Sequence, residues 1–174
     1  CLSRGLGDVY KRQTISAGIP FRTLEDLKAG RAVYWDIIHE YIVNYLKIPG
    51  IEKIEPEEAG RNLARLAEEY DLTLYETFLL DLAGHQKLPW SVEETINLFD
   101  RFLSGVLGSG ANSFTLVLTS DHGNVEDNSV KIHTVNPVPL LVVGPAAQLF
   151  SSCGAITDVA GAVLRALQAP NAPG

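Results

Sequence analysis

Apolar residues recur along this chain in two patterns, one typical of helices and one typical of buried strands. The clearest helical pattern begins after Ser91, which forms a capping-box pair with Glu94. Its apolar positions are separated by four, three, four and three residues: Val92, Ile96, Phe99, Leu103 and Val106. Less regular patterns predict further helices over residues 31–46, 56–70 and 157–167. The second of these starts with a proline and two glutamates, and the third has Thr157 as its expected N-cap.

Three runs of strand length are almost entirely apolar, over residues 72–80, 114–119 and 138–144. Such runs are typical of strands that are buried on both faces of a mainly parallel sheet. Because helical segments separate the runs, the sequence predicts an α/β fold with three αβα layers. Ligands of these sheets bind beyond the carboxyl ends of the strands, where Asp81, Asp121 and His122 follow two of the runs.

Composition limits the function classes that remain. The chain has 174 residues, of which 46% are hydrophobic, so one domain or a large piece of one is expected. Asp and Glu outnumber Lys and Arg by 21 to 14, and the net charge of -7 argues against a nucleic-acid partner. No apolar run approaches the roughly 18 residues that span a membrane. We therefore expect a cytoplasmic protein that contacts neither nucleic acid nor membrane.

The chain contains no methionine, which predicts that it is a fragment of a longer translation product. Its first thirteen residues, CLSRGLGDVYKRQ, resemble a translated sequencing adapter. Residues 1–13 are accordingly interpreted as a non-native tag, with native sequence starting near Thr14.

Five Asp and His side chains follow the predicted strands or the loops beside them: Asp81, His85, Asp121, His122 and His133. Carboxylate oxygens and imidazole nitrogens are ligands for zinc and are also accepted by manganese. Gly84, and the Gly123-Asn124 pair, provide backbone turns beside these residues. The alternative is that Asp-His-Gly-Asn is an ordinary turn after a strand.

Three segments are similar, in residue types and in order, to the metal-binding core of cofactor-independent phosphoglycerate mutase and its relatives in the alkaline phosphatase superfamily. They are DLAGH at 81–85, TSDHGN at 119–124 with Glu126, and HTVNPVP at 133–139. Residues 20–33 and 56–67 resemble segments of bacterial metalloenzyme-domain proteins. Residues 14–174 are thus expected to be the C-terminal part of such a domain, with its metal-site core at 72–168 and an alkaline phosphatase-like fold.

The resemblance implies two divalent metal ions, Mn or Zn, that support phosphoryl transfer or hydrolysis of a small phosphorylated substrate. Asp81, His85 and His133 would hold one ion, and Asp121 and His122 the other. A further aspartate and a Ser or Thr nucleophile would come from an upstream strand that this chain does not contain. The parent protein is therefore expected to be an enzyme, and the fragment itself to be inactive.

Several alternatives stay open. The ten-residue loop 123–132 is shorter than in true mutases, and no basic cap segment is identifiable, so a phosphatase or a sulfuryl hydrolase is also possible. A metal-binding structural or interaction module without catalysis is the main alternative, and an α/β domain without metal is a weaker one. Glu126 and Asp127 are interpreted as exposed loop acids, or otherwise as acceptors that orient a ligand. His39 is expected to face solvent from the helix at 31–46.

Overall fold

The structure, a computed structural model, describes residues 16–109, 113–127, 129–130 and 132–169. The predicted tag at residues 1–13 lies outside these ranges. The α-helices are α1 (Leu24–Lys28), α2 (Pro56–Glu69), α3 (Leu79–Gly84), α4 (Val92–Gly108) and α5 (Ile156–Gln168). The strands are β1 (Leu116–Thr119) and β2 (Leu140–Val143), and a π-helical turn (Ile42–Leu46) and a 3₁₀ helix (Ala147–Phe150) complete the order.

Helices α2 and α4 pack against each other and confirm two predicted helices. The Ser91 capping box is formed as expected, because the Ser91 hydroxyl accepts from the Glu94 amide and the Glu94 carboxylate accepts from the Ser91 amide. The helix axes approach closely where Gly105 faces α2, since a Cβ there would stand 2.8 Å from the carbonyl carbon of Glu57. The core around this crossing contains Ala59, Phe102, Val106, Ile37 and Leu79.

The two strands form an antiparallel pair in which Leu116 lies opposite Val143 and Thr119 lies opposite Leu140. The predicted strands at 114–119 and 138–144 are therefore confirmed over residues 116–119 and 140–143. Their predicted parallel arrangement is not observed in the part of the chain that the structure describes. A parallel pair needs a crossover connection that brings the chain back to the same end, whereas β2 runs antiparallel to β1 and the described part of residues 120–139 contains no helix.

The predicted strand at residues 72–80 is wrong. Residues 72–77 have no regular structure, and the helix α3 begins at Leu79. Leu74 is 78% exposed, and no described strand pairs with this segment, so its apolar residues lack the partner that a strand requires. Leu79 and Ala83 are four residues apart and buried on one face of α3. Asp81 therefore lies in the first turn of a helix instead of at a strand end.

The predicted helix at residues 31–46 is also wrong, apart from the π-helical turn at its end. The Asp36 carboxylate accepts hydrogen bonds from the backbone N–H groups of His39 at 3.0 Å and Tyr41 at 2.6 Å. Ile37 and His39 adopt positive φ angles of 68° and 64°, which interrupt a right-handed helix. Burial raises the pKa of the Asp36 carboxyl. The Asp36 carboxylate thus binds backbone amides that a helix over this segment would use, and the helix does not form there.

His39 also differs from the prediction of a solvent-facing side chain. It is buried, and its ring Nδ1 lies 2.9 Å from the carbonyl oxygen of Glu52. The histidine joins the turn around Asp36 to the segment before α2. It is thus a structural residue of the core, outside the candidate metal site.

The last predicted helix is confirmed as α5, but its N-cap is not Thr157, which lies inside the helix. The Asp158 carboxylate instead accepts from the amides of Gly154 and Ala155 at 2.9 and 3.0 Å. An acid in the first turn thereby satisfies the amide groups that precede the helix. None of the helices within the described residues is both long and apolar enough to cross a lipid bilayer.

Candidate metal centre

The short helix α3 and two stretches of the segment between β1 and β2 bring the candidate ligands together. Asp81 lies in the first turn of α3, and His85 is the C-cap of the same helix. The four-residue separation puts both side chains on one helix face. His122 follows β1, and His133 lies on the segment that leads to β2. An isolated bridge between Gly123 and Thr134 holds these two segments side by side.

Three imidazole rings surround one oxygen atom of Asp81. The Asp81 Oδ1 atom lies 3.1 Å from His133 Nε2, 3.3 Å from His85 Nε2 and 3.9 Å from His122 Nε2. The Nε2 atoms of His85 and His133 are 3.2 Å apart. The rings of His122 and His133 stack with their centroids separated by 3.6 Å. Four side chains from three segments thus present their donor atoms to a common point.

These distances fit the coordination shell of a divalent ion. Two ligands with bonds of about 2.1 Å to one ion stand roughly 3.0 Å apart at octahedral angles and roughly 3.4 Å apart at tetrahedral angles. The separations among Asp81, His85 and His133 fall within this range. The ligand atoms of Asp81, His122 and His133 also lie within 4.8 Å of one another. The donor set of carboxylate and imidazole agrees with zinc or manganese chemistry.

Asp121 lies at the margin of this cluster. Its Oδ1 atom is 3.5 Å from His122 Nε2, and its side chain is 55% exposed. His122 therefore stands between two carboxylates, with Asp121 slightly nearer than Asp81. The Asp121 carboxylate is therefore open toward solvent at the edge of the cluster.

Glu126 connects the stretch of chain that carries His122 to the stretch that carries His133. Its carboxylate accepts hydrogen bonds from the Asn124 amide at 2.6 Å, from the Thr134 hydroxyl, and from the Asn136 side chain at 3.1 Å. These bonds, the Thr134 hydroxyl first among them, lower the pKa of Glu126 to about 2. The Thr134 amide additionally donates to the Gly123 carbonyl at 2.9 Å. The separation of the two histidines is consequently fixed by a network around one acid.

The motifs in the sequence indicate the candidate ligands but not the side chains that support them. Glu126 is exposed, as expected, yet it accepts three hydrogen bonds that order the site. Asp127 bonds to Ser129 in its own loop. The sequence indicates Asn124 only as a turn former, whereas its side chain donates to the Asp81 carboxylate at 2.8 Å. In the sequence, Asn124 and Glu126 lie between the candidate ligands His122 and His133, and this position is the signal that indicates such roles.

The comparison with protein families agrees with this geometry. The sequence profile of the Metalloenzyme superfamily matches residues 43–171, a span that includes all five candidate ligands. The chain belongs to the Metalloenzyme superfamily. The alkaline phosphatase-like α/β class that the sequence suggested agrees with this family and with the mixture of helices and sheet. The three-layer parallel arrangement and the domain limits stay predictions.

Curated relatives of this metalloenzyme-superfamily chain are named 2,3-bisphosphoglycerate-independent phosphoglycerate mutase. The protein from Desulforudis audaxviator is 32% identical over 142 residues, covering 73% of this chain and 27% of the relative. The protein from Ehrlichia canis is 31% identical over 108 residues, covering 58% and 22%. This chain thus spans about a quarter of the length of these relatives, and no solved structure matches it significantly. The predicted resemblance to cofactor-independent phosphoglycerate mutase is confirmed.

Proposed function

We propose that this chain is the metal-binding part of an enzyme that transfers a phosphoryl group, or hydrolyses a phosphate ester, with two divalent ions. The convergence of three imidazole nitrogens on Asp81 Oδ1, within 3.1–3.9 Å, is the observation that most directly supports metal binding at this site. Membership of the Metalloenzyme superfamily and the names of the curated relatives support the same reaction class.

Each candidate ligand has a distinct part in the proposed site. Asp81, His85 and His133 hold one ion, and Asp121 and His122 contribute to the second, with Mn or Zn as the metal. Divalent ions supply Lewis acidity and neutralise the negative charge of a phosphoryl group. The Asp81 carboxylate balances the charge of the first ion and orients the histidine donors around it. Asp121 is the more exposed of the two carboxylates, so it is the one that we expect a phosphorylated substrate to approach.

The nucleophile is proposed to lie outside these 174 residues. Two hydroxyl groups flank the ligands in sequence, and both already donate hydrogen bonds: Ser120 to the His122 carbonyl at 2.8 Å, and Thr134 to Glu126. Neither hydroxyl is directed at the cluster as an attacking group. A Ser or Thr and a further aspartate ligand from another segment of a longer parent protein complete the site. The substrate is a small phosphorylated molecule, for which mutase and hydrolase chemistry are both compatible with the residues present.

Because the hydroxyls of Ser120 and Thr134 already donate hydrogen bonds, a second candidate function is also favoured. If no external nucleophile joins the site, the chain acts as a metal-binding structural or interaction module. The two candidates agree on ion binding and differ in turnover. A panel of phosphate esters offered to the parent protein with Mn²⁺ or Zn²⁺ separates them, because only the enzyme releases or transfers phosphate.

Equilibrium dialysis of the 174-residue chain against Zn²⁺ or Mn²⁺ tests the shared claim. We expect bound metal in the wild-type chain, and loss of most of it in the double variant His85→Ala with His133→Ala. Asp100→Asn is the matched control, since Asp100 is an exposed acid on α4. Equal metal content in the wild type and the double variant would contradict the proposed site. Phosphate release by the 174-residue chain alone would contradict the external origin of the nucleophile.

A further inference from the structure

Asn124 lies buried directly beside Asp81, although the two residues are 43 positions apart in sequence. Its residue exposure is 7%. The side-chain Nδ2 atom donates to Asp81 Oδ1 at 2.8 Å and lies 3.3 Å from the Asp81 backbone oxygen. Both of these oxygens are acceptors, so only the amide nitrogen can face them. The chemistry of its partners therefore determines the orientation of the Asn124 amide.

The side-chain carbonyl group of Asn124 faces α3. The Asn124 Oδ1 atom is buried and has no hydrogen-bond partner among the residues that the structure describes. It lies against Gly84, where a Cβ atom would stand 2.6 Å from Asn124 Cγ. A buried carbonyl without a partner is unfavourable, so the position persists only because the surrounding contacts compensate for it. Glu126 supplies one such contact by accepting the Asn124 backbone amide at 2.6 Å.

We infer that Asn124 is a positioning residue that holds the Asp81 carboxylate in the orientation required to bind a metal ion. This inference rests on the proposed metal site. A carboxylate oxygen has two lone-pair directions, and a donor on one of them leaves the other directed toward the histidine cluster. The neutral amide preserves the negative charge of Asp81, whereas a lysine there would compete with the ion and an acid would repel the carboxylate.

Gly84 is part of the same arrangement, because only a residue without a Cβ leaves room for Asn124. A normal carbon–carbon contact is about 3.5–4.0 Å, so an alanine at 84 must displace the Asn124 side chain by roughly 1 Å. That shift would break the 2.8 Å bond to Asp81. Gly84 and Asn124 should therefore be coupled, and their substitutions should not act independently on metal binding.

Titration of the 174-residue chain with Zn²⁺, and with Co²⁺ followed by visible absorption, tests the inference. Loss of a group that orients a metal ligand typically lowers affinity about ten- to hundredfold. We expect that decrease in Asn124→Ala, together with a changed Co²⁺ spectrum, which reports the coordination geometry. Asn97→Ala is the matched control, since Asn97 is exposed on α4, and it should leave the affinity and the spectrum unchanged.

Gly84→Ala provides a second route that does not alter Asn124 itself. It should lower Zn²⁺ affinity by a similar factor, even though alanine favours a helix more than glycine does. The double variant should bind like Asn124→Ala alone and melt at a higher temperature than Gly84→Ala, because the clash is gone. If Asn124→Ala does not fold, the affinity of Gly84→Ala alone decides the outcome.

The possible results separate this inference from the proposed function. No Zn²⁺ or Co²⁺ binding by the wild-type chain would overturn both. Wild-type binding, with unchanged affinity and spectrum in Asn124→Ala or in Gly84→Ala, would overturn the role of Asn124 and leave the metal site intact. Fully additive losses in the double variant would also overturn it, since they would show that Gly84 does not act through Asn124.

Discussion

Replacement of Gly105 by alanine tests the packing that supports the candidate site. A Cβ atom at this position would lie 2.8 Å from both the Cα and the carbonyl carbon of Glu57 on α2. Ordinary carbon contacts are about 3.5–4.0 Å, so α2 and α4 would have to separate by roughly 1 Å. Both clashing atoms belong to the backbone and cannot rotate away. The core residues Phe102 and Val106 would lose contacts as the helices part.

The expected size of the effect follows from two opposed contributions. Alanine inside a helix is more favourable than glycine by about 0.5–1 kcal/mol. Overpacking of a close helix contact costs about 1–3 kcal/mol, and a rigid backbone partner favours the upper end of that range. The net loss in the free energy of unfolding should be about 2 kcal/mol. For a chain of this size, that corresponds to a decrease in Tm of roughly 4–8 °C.

Urea denaturation and thermal unfolding, both followed by circular dichroism, measure this loss. Gly108→Ala is the matched control, because Gly108 ends the same helix and a Cβ there would meet no atom of the described residues within 4 Å. The control should unfold at the wild-type urea concentration or slightly above it. If Gly105→Ala is as stable as Gly108→Ala, the close crossing of α2 and α4 is refuted.

Two further predictions concern acids outside the ligand set. The pKa of the Glu126 carboxyl should be about 2 instead of 4.5, as measured by ¹³C NMR. The hydrogen bonds to this carboxylate should therefore stabilise the fold above pH 4.5, and that stabilisation should be lost as the pH falls through about 2. A midpoint near 4.5 would contradict the hydrogen bonds from Thr134 and Asn136. Asp36→Asn should destabilise the chain by about 1–3 kcal/mol in urea denaturation. The asparagine NH₂ would face one of the two backbone N–H groups that now donate hydrogen bonds to the carboxylate. Unchanged stability would show that the buried turn at Asp36 does not form.

Local signals predicted the helices α2, α4 and α5 and the positions of both strands, but failed for residues 31–46 and 72–80. The capping box at Ser91 and the proline at the start of α2 act within a single turn, so the sequence specifies them directly. A strand needs a partner from elsewhere in the chain, and the apolar run at 72–80 finds none in the described residues. The pattern at 31–46 has helical spacing, but the Asp36 side chain competes for the backbone amides that a helix would use.

The candidate site likewise combines residues that local motifs predict with contacts between distant parts of the chain that they do not predict. The five candidate ligands are predicted from the motifs around Asp81, Asp121 and His133, where residue type indicates chemistry. The role of Asn124 could not be found in this way, because it depends on a contact with a residue 43 positions earlier. The cluster of Asp81 with three histidines likewise depends on α3 meeting the loop after β1, which no local pattern specifies.

Anomalous X-ray scattering from crystals of this chain grown with Zn²⁺ tests the metal site most directly. The structure predicts an anomalous peak about 2.0–2.2 Å from Asp81 Oδ1 and from the Nε2 atoms of His85 and His133, the bond lengths that Zn²⁺ adopts with these ligands. The peak should be absent in crystals of the double variant His85→Ala with His133→Ala. No peak at the cluster, or a peak that survives in the double variant, would contradict the account.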